Sequence, residues 1–426
     1  MKYIMKCMNC DTVLTDDEAA LTCPNCDKQL SINIIHNKVG KIDFDFFKER
    51  TENMWKFFPF LPLKHEHNII SLGEGATPLL KSNHLGDEAG VKNLLMKNET
   101  ANPTGSFMDR QISMGISVAK EMGYSNAVSL STGNAGASVA AYSARAGFKN
   151  LILVPKKFQK ERINQIKLFG GNAIQIDSES EPFLMDVVIK ASGAFKAINL
   201  ATTSLFNAFT NHGAKTIIYE MFEQMNLELP ELIVVPVGGS GLICSLIQAC
   251  MELKELGLIG EIPYFLAVQP YGCHPFINAL QRNSSPDEVY ADPWININTS
   301  ISALAKNIPF DYSWFYFLMN EMKEKEKKVF GITVTDEETR EAQKQLSKKE
   351  GLFVQLASST PIAALKKLEE IPGDLQQLDS HAVILTATGR LNLAQAIESL
   401  DTLIHVYPES VLRSEWKSTI KPFFES

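Results

Sequence analysis

The sequence predicts an α/β protein with parallel sheets, preceded by a small ribbon built around four cysteines. Three observations carry this. From about residue 88, short apolar runs alternate with amphipathic segments. Those runs lack the in/out alternation of half-exposed strands, as strands covered on both faces do. The chain opens on a C-x2-C-x12-C-x2-C array. Its 426 residues, 45% hydrophobic and 21% charged, suit a globular chain of roughly two to four domains with a core able to enclose a small ligand.

Cys7, Cys10, Cys23 and Cys26 form two CxxC knuckles. Four thiolates so spaced can surround one zinc ion tetrahedrally, leaving no open position, so the metal would be structural. A pair of disulfides is the alternative, disfavoured in a reducing compartment. Cys244, Cys250 and Cys273 lie in apolar or mixed surroundings and read as buried thiols. Residues 35–70 form an aromatic connector, "FDFFKERTENMWKFFPFLPLKHEH", expected to pack over the following domain. His65 and His67 within it lack an evident ligand partner and read as a surface pair.

The βα rhythm follows. "NLLMK" reads as a strand, "RQISMGISVAKEMG" as an amphipathic helix ending at Gly123, and "NAVSLS" as a strand. "GASVAAYSARAG" is a helix, "NLILVP" a strand, "KERINQIKLFGG" a helix and "NAIQID" a strand. The pattern returns in "ELIVVPV", "PYFLAVQP" and "HAVILTATG". A repeated β-α order of this kind predicts parallel sheets covered by helices.

Net charge is −8 and no long basic run occurs, which argues against nucleic acid as a main partner. The lysines of "EMKEKEKK" alternate with acids and read as a solvated helix face. There is no apolar stretch of 18 residues and no signal-like start, so no membrane partner and a cytoplasmic location are expected.

Four short stretches concentrate unusual chemistry. "NPTGSFMDR" (102–110) reads as a loop presenting one side chain, Met108, with Thr104 or Ser106 placed to cap a following helix. Three others are strand-to-helix turns, where parallel sheets bind ligands. In "STGNAGAS", Ser131, Thr132, Gly133 and Asn134 offer hydroxyls, an amide and free N–H groups to an anion. In "VPVGGSGL", Gly238, Gly239, Ser240 and Gly241 can wrap a phosphate, although the stretch matches neither a P-loop, nor the dinucleotide glycine motif, nor the hydrolase elbow. In "LTATG", Thr386 or Thr388 can meet a ring nitrogen or cap a helix. An ordinary helix cap or tight turn remains open for each.

Together with "EGATPLL" (74–80), these stretches resemble, in order, the motifs of the fold-type II pyridoxal-phosphate-dependent enzymes, and most closely those of the threonine synthases. The ribbon also resembles one carried by some threonine synthase-like proteins. The resemblance implies a two-domain, tryptophan synthase β-like architecture. Residues 1–34 would be the zinc-ribbon-like segment, 35–110 with 214–426 the larger α/β domain, and 111–213 the smaller. It implies pyridoxal 5'-phosphate as cofactor, with the phosphate on Gly238–Gly241, the ring hydroxyl on Asn134 and the ring nitrogen on Thr386. Ser131, Thr132 and the adjoining amides of Gly133 would take the carboxylate of a small amino-acid substrate. A homodimer is the family's expectation.

One departure decides the chemistry. The family's NPTGSFKDR carries the Schiff-base lysine where this sequence has Met108. A thioether matches lysine in length but neither bonds an aldehyde nor moves protons. Lys97 and Lys215 are the nearest lysines by motif position. Gln355–Leu356 and His212–Gly213–Ala214 also depart from the family pattern and weaken the case for O-phosphohomoserine as substrate. The expectation is a threonine synthase-like lyase of β/γ-elimination or replacement type, inactive or trapped with ligand as written. The alternatives are a natural non-catalytic homologue that binds the cofactor or its amino-acid adduct, and a dehydratase-like or β-replacing specificity.

Overall fold

The computed structural model describes the chain except residues 37–41, 132, 157–159, 179, 323–327, 372–374, 390–404 and 423–426. Its strands are β1 (Tyr3–Cys7), β2 (Val13–Thr15), β3 (Leu30–Ile34), β4 (Leu79–Lys81), β5 (Leu94–Asn98), β6 (Asn126–Leu130), β7 (Lys149–Pro155), β8 (Asn172–Asp177) and β9 (Ala197–Asn199). They continue with β10 (Leu232–Pro236), β11 (Tyr264–Pro270), β12 (Val329–Val334), β13 (His381–Leu385) and β14 (His405–Pro408). Three sheets result. The ribbon is β2-β1-β3, antiparallel. A six-stranded sheet runs β12-β11-β10-β13-β5-β4, parallel except for the edge strand β4. A five-stranded parallel sheet runs β14-β8-β7-β6-β9.

The parallel sheets explain the run-like strands. Successive side chains of β10 face opposite ways: Ile233 and Val235 enter one core cluster, Leu232 and Val234 another. In β7, Ile152 and Val154 face one cluster, Leu151 and Leu153 the other. Each face is covered, so apolar residues dominate both, and the few polar exceptions, such as Lys97 in β5, are buried with partners. Helices fill the connections: α1 (Leu85–Glu88), α2 (Met108–Glu121), α3 (Asn134–Ala146), α4 (Lys160–Leu168), α5 (Glu181–Ala194), α6 (Thr216–Gln224) and α7 (Gly241–Glu255). The turn after α2 uses Gly123 at φ +80°, and Gly147 at φ +71° ends α3, both left-handed positions that favour glycine.

The α/β class and parallel sheets expected from the sequence are therefore observed, with strands in them that the sequence did not single out: β4, β9, β12 and β14. One assignment needs correction. Residues 214–426 were grouped with the larger body, yet β14 pairs in parallel with β8. The last strand extends the smaller sheet at its β8 edge, with His405–Pro408 in register with Ile174–Asp177. The connector packs as expected. Met54–Phe60 forms a buried 3-10 turn, and Phe60 stacks on Tyr219 with ring centroids 4.3 Å apart. His65 and His67 are exposed and stacked on each other. Cys244, Cys250 and Cys273 are buried thiols outside any disulfide. Most of the lysine-rich run, 323–327, lies outside the described residues. Among the described residues no helix is long and apolar enough to cross a membrane.

Candidate active site

Gly105 stands at φ +87°, and a Cβ there would lie 2.5 Å from Thr388 Cγ2. Only glycine lets this loop close on the turn after β13. Phe107 N donates to Thr386 O at 3.0 Å and Thr388 N to Gly105 O at 2.8 Å. The "NPTGSFMDR" and "LTATG" motifs are thus zipped together, although far apart in sequence.

Met108 does not sit mid-loop, as the sequence suggested. It is the first residue of α2, and the cap position, Phe107, makes no side-chain bond. Neither Thr104 nor Ser106 caps the helix. The reason is Asp109, which is fully buried and needs donors. Thr104 supplies its N–H (2.7 Å) and hydroxyl (2.6 Å), and Ser138 Oγ a third at 2.6 Å. Burial still lifts the Asp109 carboxyl to about 7. Ser106 Oγ is left without a partner.

Behind Met108, the rest of the motif is spent on a buried ion cluster. Arg110 Nε meets Glu99 Oε2 at 2.7 Å and its Nη1 meets Glu220 Oε1 at 2.6 Å. Lys97 Nζ meets Glu220 Oε2 at 2.8 Å, and all four side chains are fully buried. Thr77, from "EGATPLL", donates to Glu99 at 2.6 Å and accepts from Arg110 at 3.1 Å. Two cations balance two carboxylates. Burial alone would raise the Glu220 carboxyl, but Arg110 and Lys97 outweigh it and hold it at about 2. Lys215 is fastened elsewhere, to Glu252 (2.7 Å) and Phe60 O (2.8 Å).

A cleft of about 870 Å³ lies between the two parallel sheets and gathers most of the singled-out residues. Met108, Gly133, Asn134, Gly238, Gly239, Ser240, Gly241, Gln355 and Thr386 all line it. At the β10–α7 turn, Ser240 adopts φ +69°, and a Cβ on Gly241 would lie 2.7 Å from Asn211 Nδ2 and from Asp311 Oδ2. The small residues let the amino end of α7 face the cleft with its first N–H groups unpaired within the helix. Ser240 Oγ itself turns back to Gly239 O at 2.6 Å. Thr386 Oγ1 is paired with Ser358 Oγ at 2.8 Å.

The smaller sheet's turn differs from expectation. Ser131 does not line the cleft: its hydroxyl accepts from Gly136 N (2.8 Å) and Gly133 N (3.2 Å), closing the start of α3. Thr132 lies outside the described residues. The Asn134 amide is already engaged. Its Nδ2 donates to Gln355 Oε1 at 3.0 Å, and its Oδ1 accepts from Gln355 Nε2 (3.2 Å) and Arg162 Nη1 (2.5 Å). Arg162 is buried, and burial lowers it to about 10. His212 faces Trp314, 6.0 Å between ring centroids, where burial keeps the ring neutral. Gly213 beside it is required because a Cβ would fall 2.0 Å from Arg110 O.

Several cleft residues escaped the sequence. Gln111 follows Met108 by three positions on α2, so helical spacing alone could have found it; its Oε1 is buried without a partner. Asp311 Oδ1 accepts from Ser204 N and Oγ, both at 2.6 Å, and from Thr203 Oγ1 at 3.0 Å. Burial lifts its carboxyl to about 6. Lys28 and Lys306 also reach the cleft wall, Lys306 beside Gly238. Only tertiary structure brings these together.

Outside the parallel sheets, the four cysteine sulfurs lie within 4.8 Å of one another, with Cys7–Cys26 and Cys10–Cys23 both at 3.6 Å. Zinc–sulfur bonds of about 2.3 Å in a tetrahedron space the sulfurs about 3.8 Å apart, so the cluster is of the right size and chemistry for zinc.

Residues 70–387 match the family described as pyridoxal-phosphate dependent enzymes. The chain belongs to that family. Within it the chain is threonine synthase-like. It is 34% identical to a threonine synthase of Methanocaldococcus jannaschii over 86% of this chain and 88% of that protein. It is 30% identical to one of Methanosarcina acetivorans over 87% of each. Maize serine racemase shares the fold, with a TM-score of 0.61 at 19% identity over 82% of this chain and 93% of that one.

Proposed function

We propose that this chain is a threonine synthase-like lyase scaffold that binds pyridoxal phosphate, or its adduct with a small amino acid, without turning it over. The observation that carries the reading is Met108, the first residue of α2, standing in a cleft that otherwise keeps its binding turns. Gly238, Gly239, Ser240 and Gly241 would hold the phosphate against the amino end of α7, where open amides and the helix dipole favour an anion. The crowding at Gly241 supports this, since any larger residue would close the cradle. Asn134 would meet the ring hydroxyl, and Thr386, backed by Ser358, the ring nitrogen. Gly133 would face the substrate carboxylate, with Ser131 shaping its turn. A ligand so held spans the two sheets, and with them the larger body (35–110 and most of 214–426) and the smaller (111–213). The zinc of the ribbon would be structural.

When bound, the cofactor supplies an electron sink for bonds at the substrate α-carbon. The chain's own share is the missing part. A lysine at position 108 would bond the aldehyde and carry the proton; a thioether does neither. Lys97 and Lys215 cannot take its place, because each is buried in its own ion pair. Lys306 stands at Gly238, the phosphate end.

A second reading, a natural binding or regulatory homologue, draws support from the Asn134–Gln355 amide pair, which links the two sides of the cleft where the family has a different residue. Titration of pyridoxal phosphate into the chain and into Met108→Lys, followed by visible spectroscopy, tests both. The expected result is binding by both, with a covalent absorption band only in Met108→Lys. Restored phosphate release from O-phosphohomoserine, or a 2-oxo acid from serine or threonine, would then assign the specificity and favour a lyase that lost one residue. A bound but idle Met108→Lys favours the homologue. No binding by either form refutes the cofactor assignment.

A further inference from the structure

The ribbon does more than decorate the amino terminus. Met8 and Asn9, between Cys7 and Cys10, line the cleft, and so do Lys28 and Gln29, just past Cys26. Each cysteine knuckle therefore sends residues into the wall of the site. Asn9 is joined to the sulfurs themselves: its N–H lies 3.4 Å from Cys7 Sγ and its Nδ2 3.8 Å from Cys26 Sγ.

From Gln29 the contacts lead to the phosphate turn in a few steps. Gln29 Nε2 donates to Ser204 Oγ at 2.9 Å and lies 3.5 Å from Asp311 Oδ1. Ser204 holds Asp311, and Asp311 N donates to Gly239 O at 2.9 Å. A second route is shorter: Gln248, on α7, donates to Ile32 O in β3 at 2.9 Å. The helix whose amino end faces the cleft is thus tied directly to the ribbon.

We infer that the ribbon forms one wall of the ligand site, and that metal on Cys7, Cys10, Cys23 and Cys26 and ligand in the cleft bind cooperatively. This rests on the proposed cofactor reading. The strands of the ribbon share a core with Met54, Trp55, Leu61 and Phe209 of the body, but the two knuckle loops that carry Asn9 and Lys28 have little core of their own, so metal binding and the ordering of these loops are coupled. If ordering places Asn9 and Gln29, a loaded ribbon favours the ligand. By linkage the ligand then favours the metal by the same factor. A ribbon with a purely local role would leave ligand affinity untouched.

The test uses the full chain, zinc-loaded and chelator-stripped, with 5'-phosphopyridoxyl-L-alanine as a probe that needs no lysine. Circular dichroism checks that the α/β body stays folded. Couplings between sites commonly amount to 5–150-fold, and the expected result is at least fivefold weaker probe binding after stripping. Saturating probe should tighten zinc binding, read at equilibrium by competition with a chromophoric chelator, by the same factor. Gln29→Ala should keep its zinc yet lose part of this coupling, the remainder passing through Asn9 and through Gln248 to Ile32. Equal probe affinity with and without zinc overturns the inference and leaves the cofactor reading standing. A chain that takes up no zinc overturns it as well. Probe binding by neither form overturns both.

Discussion

Met108 and Arg110 stand two residues apart on the first turn of α2 and have met opposite fates. Arg110 is fully buried, with every nitrogen engaged by Glu99, Glu220, Thr77 or Thr216. Met108 is half-buried, touches the core through its side chain and faces the cleft. The comparison separates what a motif does for the fold from what it does for chemistry. The aspartate–arginine pair of the motif anchors α2, and that anchor is intact. On the proposed reading, the position that would touch a ligand carries a thioether where an amine would be needed, and the fold does not need the amine: a lysine there would cost desolvation, whereas methionine fills the same space.

The largest expected effect comes from breaking the anchor. Arg110→Met leaves Glu99 and Glu220 with a net buried negative charge, and removing one partner of a buried pair costs about 3–5 kcal/mol. Urea unfolding should show that loss; a change below about 1 kcal/mol would mean the cluster contributes little.

A second effect, read by pH, separates Asp109 from Glu220, the carboxylate that Arg110 holds. Asp109 is an acid raised from 3.8 to about 7 by burial. The folded chain therefore keeps this proton more tightly than the unfolded one, and stability present below about pH 4 is lost as pH rises through about 7. Glu220, held at about 2 against an ordinary 4.5, works in reverse. Its contribution is present above about pH 4.5 and lost as pH falls towards 2. Unfolding free energy should thus fall with rising pH between 4 and 7, by up to ~1.4 kcal/mol per unit for one proton. Asp109→Asn should reduce that slope and leave the share from Asp311, whose carboxyl burial lifts to about 6, as urea titrations at several pH values would reveal.

The smallest effects concern the Asn134 amide. Arg162 fixes its oxygen, so the nitrogen is the side offered to Gln355 and to any ligand. Arg162→Met should weaken pyridoxal phosphate binding several-fold by freeing that amide to turn over. Gln355→Ala should cost about 1 kcal/mol of stability for the lost bonds and tighten ligand binding, since nothing then competes for Asn134. Calorimetric titration distinguishes the two directions.

Much of this was legible in the sequence. The strand runs, the glycine turns and the cysteine knuckles have local signatures, because burial on both faces, left-handed φ and metal geometry constrain neighbouring residues directly. Met108 draws attention for the same reason, since the stretch around it resembles a family motif at every other residue. The rest depends on distant segments. Nothing near Asp311 or Gln29 announces that they meet at Ser204, and Ser131 looks like a ligand residue until its hydroxyl is seen closing α3. Strand β14 joined the smaller sheet through an edge that only the folded sheet possesses.

The central claim is that the pocket survives while the amine is gone. Pyridoxal phosphate added to the unaltered chain, followed by borohydride reduction, desalting and intact-mass measurement, tests it most directly. The account predicts saturable binding and, after reduction, no stoichiometric adduct. A single stoichiometric adduct on a cleft lysine, Lys28 or Lys306, would contradict it, and so would the absence of any binding.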